Sequence, residues 1–531
     1  MTALHLGIPF ERLAGETVTG FRYACEVFLA GAAASADVAA LHLLALDPAQ
    51  ATARKLAGRH GDGRLRVLGP DDFRIAPIDV IVELEHDLHR SLAVRGLLGR
   101  PRVPLALVTH GNLTGRRNFF AFYAPLILGG LQPWDRVVCA SRAARDALIA
   151  HLDHAAAALG IMPSVAVVQI PWGVDTETFS PRPRAVARAA LGWPDAGKVV
   201  LCHGRATLHN KQDLTPLLAV HRRLRARFTD VELVLSSTER NPYLTLLGAQ
   251  ARQRGLEGVR VVGGVAREQV PMLYAAADVA VALSDTVTEN FGLTAVEAMA
   301  CGVPVVAADW AGYRDAVVHG STGFLVPTLW AEPEDELDVI DAIGAGFGPA
   351  LASQSIAFDV DALEAALLRL LLDDELSRRL GDAGCVRARA HYDSSVVIAR
   401  HVEMWREQLA IAGGTTPEKP SPMPPVPMRT AFAHYPTGRL SATDIIELSP
   451  DGRAACSGHI AIGVPVFRGQ LITEAGLAAL LEVLVDGRSR AVAEVEGRTR
   501  LAPASARRHT AWLIKQGLVR VVGMATSSDV D

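Results

Sequence analysis

The sequence is short of several things that would point to particular functions. Its six cysteines run from Cys25 to Cys456 without a CxxC pair, so they offer neither a zinc cluster nor a disulfide framework and fit a reducing compartment. No stretch approaches the ~20 apolar residues of a membrane span. The Ala-rich segment from Ala30 to Leu46 is broken by Asp37 and His42 and reads as a buried helix and strand. Glu11 and Arg12 follow the opening apolar run too closely for a signal peptide, and a cytoplasmic location is expected. Charge of one sign is missing too. With 53 Lys+Arg against 57 Asp+Glu the formal net charge is -4, and no global basic field draws the chain onto nucleic acid or anionic membrane.

At 531 residues the chain is too long for one core and predicts two to four domains. Short β-branched or leucine-rich runs alternate with amphipathic stretches to about residue 410. They include Val80–Val82, Leu105–Val108, Arg136–Val138, Val165–Ile170, Val199–Leu201, Glu232–Leu235, Val259–Val262, Val279–Leu283 and Pro304–Val306. Such alternation predicts parallel sheets covered on both faces. The runs fall into two groups divided near Pro181–Trp193. A proline-rich stretch from Gly413 to Pro427 cannot form a helix or central strand and reads as an extended linker. The expected domains are therefore residues 1–180, 181–412, a linker over 413–430, and a module over 431–524. The acidic stretch between Leu329 and Ala357 reads as an insertion.

Thr288–Ala308, TENFGLTAVEAMACGVPVVAA, is the most informative segment. It leaves the strand at Val279–Leu283, enters a helix near Gly292, and stops at Gly302-Val303-Pro304. A glycine at a helix N-terminus lets a phosphate reach free backbone N–H groups, and the helix dipole favours the anion there. Glu289 stands in the loop at the mouth of that position, and Glu297 one to two turns into the helix. Upstream, Val199–Arg205 reads as a strand ending at Gly204, with Arg205 followed by Lys211.

Glu289 and Glu297, with Phe291-Gly292-Leu293 between them, resemble the E-x7-E motif of retaining glycosyltransferases of family 4, which have the GT-B fold of two facing Rossmann-like domains. The resemblance covers residues 100 to 327 well, the first hundred loosely and the last hundred not at all. It implies that Glu289 lies beside the donor sugar and Glu297 holds the donor ribose. Gly204-Arg205…Lys211 is similar to the family's diphosphate-gripping pair, which meets the growing negative charge of the leaving nucleoside diphosphate with fixed cations. Gln212 departs from the pattern, where a glycine usually follows the lysine. Ile170–Asp175 with Phe179 and Pro181, and then Asp309–Gly312 and His319–Val326, resemble further family elements in the expected order; Trp172 replaces a usual Asn. In Val108-Thr109-His110 the resemblance implies a histidine approaching the donor sugar, the plain alternative being a loop histidine satisfied by local backbone. Asp135–Ser141 resembles a strand-to-helix step with a Ser N-cap. Gly15–Gly20 is assigned to the cleft, and Arg116 and Arg117 either meet an anionic acceptor or lie on a solvated face.

Residues 431–524 predict a hairpin over Asp444–Ile462 turning at Asp451-Gly452, and a helix from Thr473 or Glu474 through Val485. Helices over Arg490–Gly497 and Ala504–Gln516 and a strand at Gly517–Val522 complete a winged helix. Gly476–Val495 resembles small peptide-recognition domains, in which a leader peptide adds to the sheet edge. Ser505–His509 equally looks like the start of a DNA-reading helix, and an inert or homodimerising wing is the third possibility; the weak overall charge counts against DNA.

The expected activity is transfer of a sugar from a UDP- or GDP-linked donor to an acceptor hydroxyl, on a peptide or natural product, with retention. No DxD motif stands on the donor domain, so no metal and no cofactor beyond the donor is expected. The rivals are another GT-B enzyme such as an epimerase, and a sugar-nucleotide-sensing regulator with a DNA-binding wing.

Overall fold

In the computed structural model of the chain, the residues described are 2–9, 20–44, 63–84, 88–110, 126, 131–160, 166–206, 211–331, 339, 348–417, 430, 432–463, 472–501 and 503–523. They divide into two compact units, Met1–Glu177 with Ala388–Ala431, and Thr178–Arg387 with Phe432–Asp531.

The first unit is built on seven parallel strands: β1 Leu4–Pro9, β2 Val38–Leu44, β3 Leu65–Leu68, β4 Val80–Glu83, β5 Leu105–Val108, β6 Arg136–Cys139 and β7 Ala166–Gln169, in the order β3-β2-β1-β4-β5-β6-β7. The inner strands β4, β5 and β6 are buried throughout and apolar but for Glu83 and Arg136 at two of their ends, because helices cover the sheet above and below. Helix α1, Gly20–Ala34, and helix α2, Arg142–Leu159, are two of these covers. The Ser141 hydroxyl accepts the Ala144 amide at 3.1 Å and caps α2.

The second unit repeats the plan with β8 Lys198–His203, β9 Val231–Ser237, β10 Val259–Gly263, β11 Val279–Ala282, β12 Val305–Ala308 and β13 Gly323–Val326, all parallel, in the order β10-β9-β8-β11-β12-β13. The strand order reverses between β8 and β11, which pair through Val200 and Val279. In open parallel sheets the crevice outside the carboxyl ends at such a switch point receives ligands. Helix α3, Leu293–Ala300, follows β11 there.

Two expected boundaries move. The second domain does not run to 412, because helix α4, Ser394–Gly414, packs on α1 of the first unit. Its His401 and Trp405 meet Phe28 edge-on at 5.1 and 6.3 Å, and Gln408 Nε2 donates to the Leu105 and Trp134 carbonyls at 2.9 and 3.0 Å.

The C-terminal module, for its part, is not a separate unit. The insertion supplies β14, Thr328–Ala331, and β15, Ile356–Phe358, and β14 pairs in parallel with β16, Gly438–Leu440, of the module. One apolar cluster runs from Leu329, Ala331 and Ala357 into Leu477, Leu481, Trp512 and Leu518.

The remaining strands, β17 Ile445–Leu448, β18 Arg490–Ala491 and β19 Val519–Val521, form an antiparallel sheet in the order β18-β17-β19. Between them lie α5 Pro450–Cys456, α6 Glu474–Leu484, α7 Val492–Arg498 and α8 Pro503–Lys515. The expected hairpin over Asp444–Ile462 is thus a strand followed by a helix. Ser449 caps α5 by accepting the Gly452 amide at 2.9 Å, and Pro450 takes the first helical position, where its missing N–H costs nothing.

Candidate functional site

At the carboxyl end of β8 the chain must turn sharply, and Gly204 does so at φ 139, a backbone region that disfavours side chains. A Cβ there would make only an ordinary contact with the Thr294 methyl of α3, at 3.4 Å, so the constraint lies in the backbone. Arg205 follows, half-buried, and its guanidinium has no ion-pair partner among the described residues. Gln212, the departure from the expected glycine, is buried and its Nε2 donates to the Arg205 carbonyl at 3.3 Å.

Lys211 stands where that loop meets the one after β11. Ser284 Oγ donates to the Lys211 carbonyl at 2.7 Å, and Lys211 Nζ reaches Glu289 Oε2 at 3.3 Å. The other oxygen of Glu289 accepts the Asn290 and Gly292 amides at 3.2 and 3.0 Å. Burial opposes the charge on Glu289, yet the Lys211 ammonium and these two amides outweigh it and hold the carboxyl below its ordinary range. Glu289 is therefore an acceptor and a counter-charge at neutral pH rather than an acid.

Gly292 is the residue the site cannot replace. It caps α3 at φ 83, ψ 47 without a side-chain cap, and a Cβ there would fall 2.3 Å from a ring carbon of Tyr313. The first-turn amides of α3, at the partly exposed Leu293 and Thr294, have no intrahelical acceptor and carry the positive end of the dipole. Phe291 is buried, 4% exposed.

Glu297 is more enclosed than its position in the pattern suggests. It is 1% exposed, paired closely with Arg267 Nη2 and at 3.4 Å with Nη1, and Tyr274 OH lies 3.4 Å from it. Arg267 in turn covers the Phe179 ring at 4.8 Å.

Lys211, Glu289, Gly292 and the open end of α3 thus meet around the β8–β11 switch point, with Arg205 on the adjoining strand end. Residues 183–340 match the family model for glycosyl transferases group 1. Within that glycosyl transferases group 1 region lie Arg205, Lys211, Glu289, Gly292 and Glu297. The chain is 35% identical over 222 residues to D-inositol 3-phosphate glycosyltransferase of Mycolicibacterium gilvum, covering 39% of this chain and 48% of that protein. It is 36% identical over 198 residues to the GDP-mannose-dependent alpha-(1-6)-phosphatidylinositol monomannoside mannosyltransferase of Mycolicibacterium smegmatis, covering 36% and 48%. The chain spans about half the length of the curated relatives it matches.

In three dimensions it resembles Anabaena Alr3699/HepE, solved in complex with UDP and glucose, with TM-score 0.53 and 21% identity over 76% of this chain and 99% of that one. Sucrose-phosphate synthase from Thermosynechococcus elongatus gives TM-score 0.51 and 20% identity over 77% and 99%. The fold class is GT-B, with two parallel-sheet Rossmann-like units.

His110 belongs to the first unit. Its ring stacks on Trp172 with centroids 4.8 Å apart, and Nε2 makes a close contact with the Leu84 carbonyl. Gly15–Thr19, Arg116 and Arg117 lie outside the described residues. No helix among the described residues is long and apolar enough to cross a membrane.

The DNA-reading expectation for Ser505–His509 meets a physical obstacle. Helix α8 is the buried centre of its module: Arg507 is held by Glu496 at 2.8 Å, Arg508 is buried, and His509 Nε2 accepts the Thr473 amide at 3.0 Å. A recognition helix must present such groups to a groove.

Sequence reasoning missed Ser284, Arg267 and Tyr274, whose roles depend on long-range contacts with no local signature. It also missed the acid pair Asp213 and Asp285, and Lys515.

Proposed function

We propose that this chain is a retaining glycosyltransferase of family 4 that moves a sugar from a nucleoside diphosphate donor, UDP- or GDP-linked, to an acceptor hydroxyl. The observation that carries the reading is the convergence of Lys211, Glu289 and the uncapped start of α3 at the switch point of the second sheet. A diphosphate needs fixed cations and free N–H groups in one place, and charge that grows on it as the sugar leaves strengthens each contact. Arg205 and Lys211 supply the cations, in the position a divalent metal would otherwise take. The amides after Gly292 take phosphate oxygens.

In this reading Lys211 exchanges part of its bond with Glu289 for the diphosphate. That leaves an ionised Glu289 beside the sugar, where it accepts a hydroxyl hydrogen bond. Glu297 accepts from the ribose as Arg267 gives up one of its two contacts. For His110 the resemblance implies a hydrogen bond to the sugar. Residues 431–524 are read as a winged-helix module to whose sheet a peptide acceptor would add as a further strand.

The test is to incubate the protein with UDP-, GDP- and ADP-sugars and follow release of nucleoside diphosphate with and without acceptor. Slow donor hydrolysis that disappears in Arg205→Ala, with the fold retained, supports the reading. No turnover and no nucleotide binding with any donor refutes it.

A further inference from the structure

Lys515 is the last residue of α8, and it is 1% exposed. Its ammonium pairs closely with Asp285 and lies 3.7 Å from Asp213 Oδ2. The rings of Trp512 and Phe358 flank it at 5.3 and 5.8 Å. A lysine enclosed like this, with two carboxylates facing it, is far from an ordinary surface cation.

The two carboxylates come from the two loops that build the diphosphate site. Asp213 follows Lys211 and Gln212. Asp285 follows Ser284 and leads to Glu289. The Asp213 amide donates to Asp285 Oδ2 at 3.3 Å, and Ser284 Oγ holds the Lys211 carbonyl. Asp213 Oδ1 also accepts Tyr243 OH at 2.8 Å and the Thr215 amide at 2.8 Å, so the first loop is anchored to the start of the following helix. On the other side the Thr286 carbonyl accepts Trp310 Nε1 at 2.9 Å.

Without a cation between them, Asp213 and Asp285 would be two buried anions in contact range. Like charges so placed either take up a proton or move apart. Burial lowers the Lys515 ammonium to about 8, and Asp213 opposes that fall, so it remains largely charged at neutral pH.

We infer that Lys515 is a positioning residue of the donor site: the C-terminal module reaches through α8 to lock the Lys211 loop and the Glu289 loop in register. This rests on the proposed function for its consequence, since the site so held is the one assigned to the donor diphosphate. It makes the module a working part of the second unit rather than an appendage carried beside it.

The test uses the full chain with Lys515→Met and with Lys515→Met/Asp285→Asn. The double variant removes the excess buried charge and keeps the fold if the single one does not. Three measurements are taken: amide hydrogen exchange, thermal unfolding, and calorimetric binding of UDP and GDP. In the double variant we expect the unfolding midpoint to return toward that of the native chain. Exchange over 211–214 and 283–292 should stay roughly tenfold or more faster, with β9 and β10 unchanged, as local opening of two loops requires. Nucleotide affinity should fall by about tenfold or more. Native exchange rates in both loops, or exchange raised evenly over the whole unit with native affinity, would overturn the inference. Exchange is read without nucleotide, so a native chain that binds neither UDP nor GDP counts against the proposed function while the loop tether is still decided.

Discussion

Replacing Gly292 by alanine is the sharpest single perturbation of the site. The backbone there is left-handed, at φ 83 and ψ 47, and a non-glycine residue in that region costs about 1–2 kcal/mol. The added Cβ would also lie 2.3 and 2.4 Å from two ring carbons of Tyr313, and Tyr313 is itself buried, 3% exposed. Forcing a methyl into packed surroundings costs roughly 1–3 kcal/mol. Together the substitution should destabilise the second unit by about 2–5 kcal/mol, a fall in midpoint on the order of 3–8 °C for a unit of this size.

The same shift displaces the Gly292 amide from Glu289 and turns the first amides of α3, so nucleotide binding should be lost along with stability. Gly292→Ala/Tyr313→Ala separates the two contributions. It removes the overlap but keeps the backbone strain, at the cost of the cavity left by the ring. Thermal and urea unfolding with calorimetric titration of UDP and GDP read both effects. A Gly292→Ala protein with unchanged midpoint and unchanged nucleotide response would refute the geometry assigned to this turn.

Arg205→Ala should leave the unfolding midpoint within about a degree, because the guanidinium has no ion-pair partner among the described residues and such surface substitutions change stability by less than ~0.5 kcal/mol. Calorimetry should nonetheless show nucleoside diphosphate binding weakened by 10- to 150-fold, the equivalent of about 1.5–3 kcal/mol for a charge-assisted hydrogen bond. Arg267→Met leaves Glu297 a buried carboxylate without its guanidinium, and urea unfolding should record a loss of about 3–5 kcal/mol. Arg267→Met/Glu297→Leu should recover most of it, and equal stability of the two variants would contradict the pairing.

Burial lowers His151, His203 and His401 to about 3, below the unfolded value of 6.5. Their contribution is therefore complete above pH 6.5 and is lost as pH falls toward 3. Each should remove up to about 1.4 kcal/mol per pH unit over that window. Urea midpoints that stay flat between pH 7.5 and 5 would contradict this.

How much of this was legible in the sequence follows from where each signal lies. The inner strands of both sheets were readable because strands buried on two faces are mostly apolar, as β5, β11 and β12 are throughout, whereas the edge strand β3, only partly buried, was not read. Glu289, Gly292, Arg205 and Lys211 stood out because their chemistry is local to two strand ends. The Ser449-Pro450-Asp451 start of α5 was also legible, as an N-cap followed by proline, but the Asp-Gly pair invited a hairpin turn instead. The return of α4 to the first unit leaves no local trace, since an amphipathic helix does not record which core it covers. Lys515 is hidden for the same reason. A lone lysine at a helix end normally reads as a solvated cation near the negative end of the dipole, and its burial against Asp213 and Asp285 exists only after the module has packed. Nor did the interval between Leu329 and Ala357 announce that its two ends would be strands of the module's sheet.

The most direct test of the central claim is a crystal structure of the full chain with UDP or GDP bound. The account predicts the diphosphate at the amides of Leu293 and Thr294, with Arg205 and Lys211 on its oxygens and the ribose at Glu297. A nucleotide seated elsewhere, with Lys211 still closed on Glu289 and Arg205 in solvent, would contradict it.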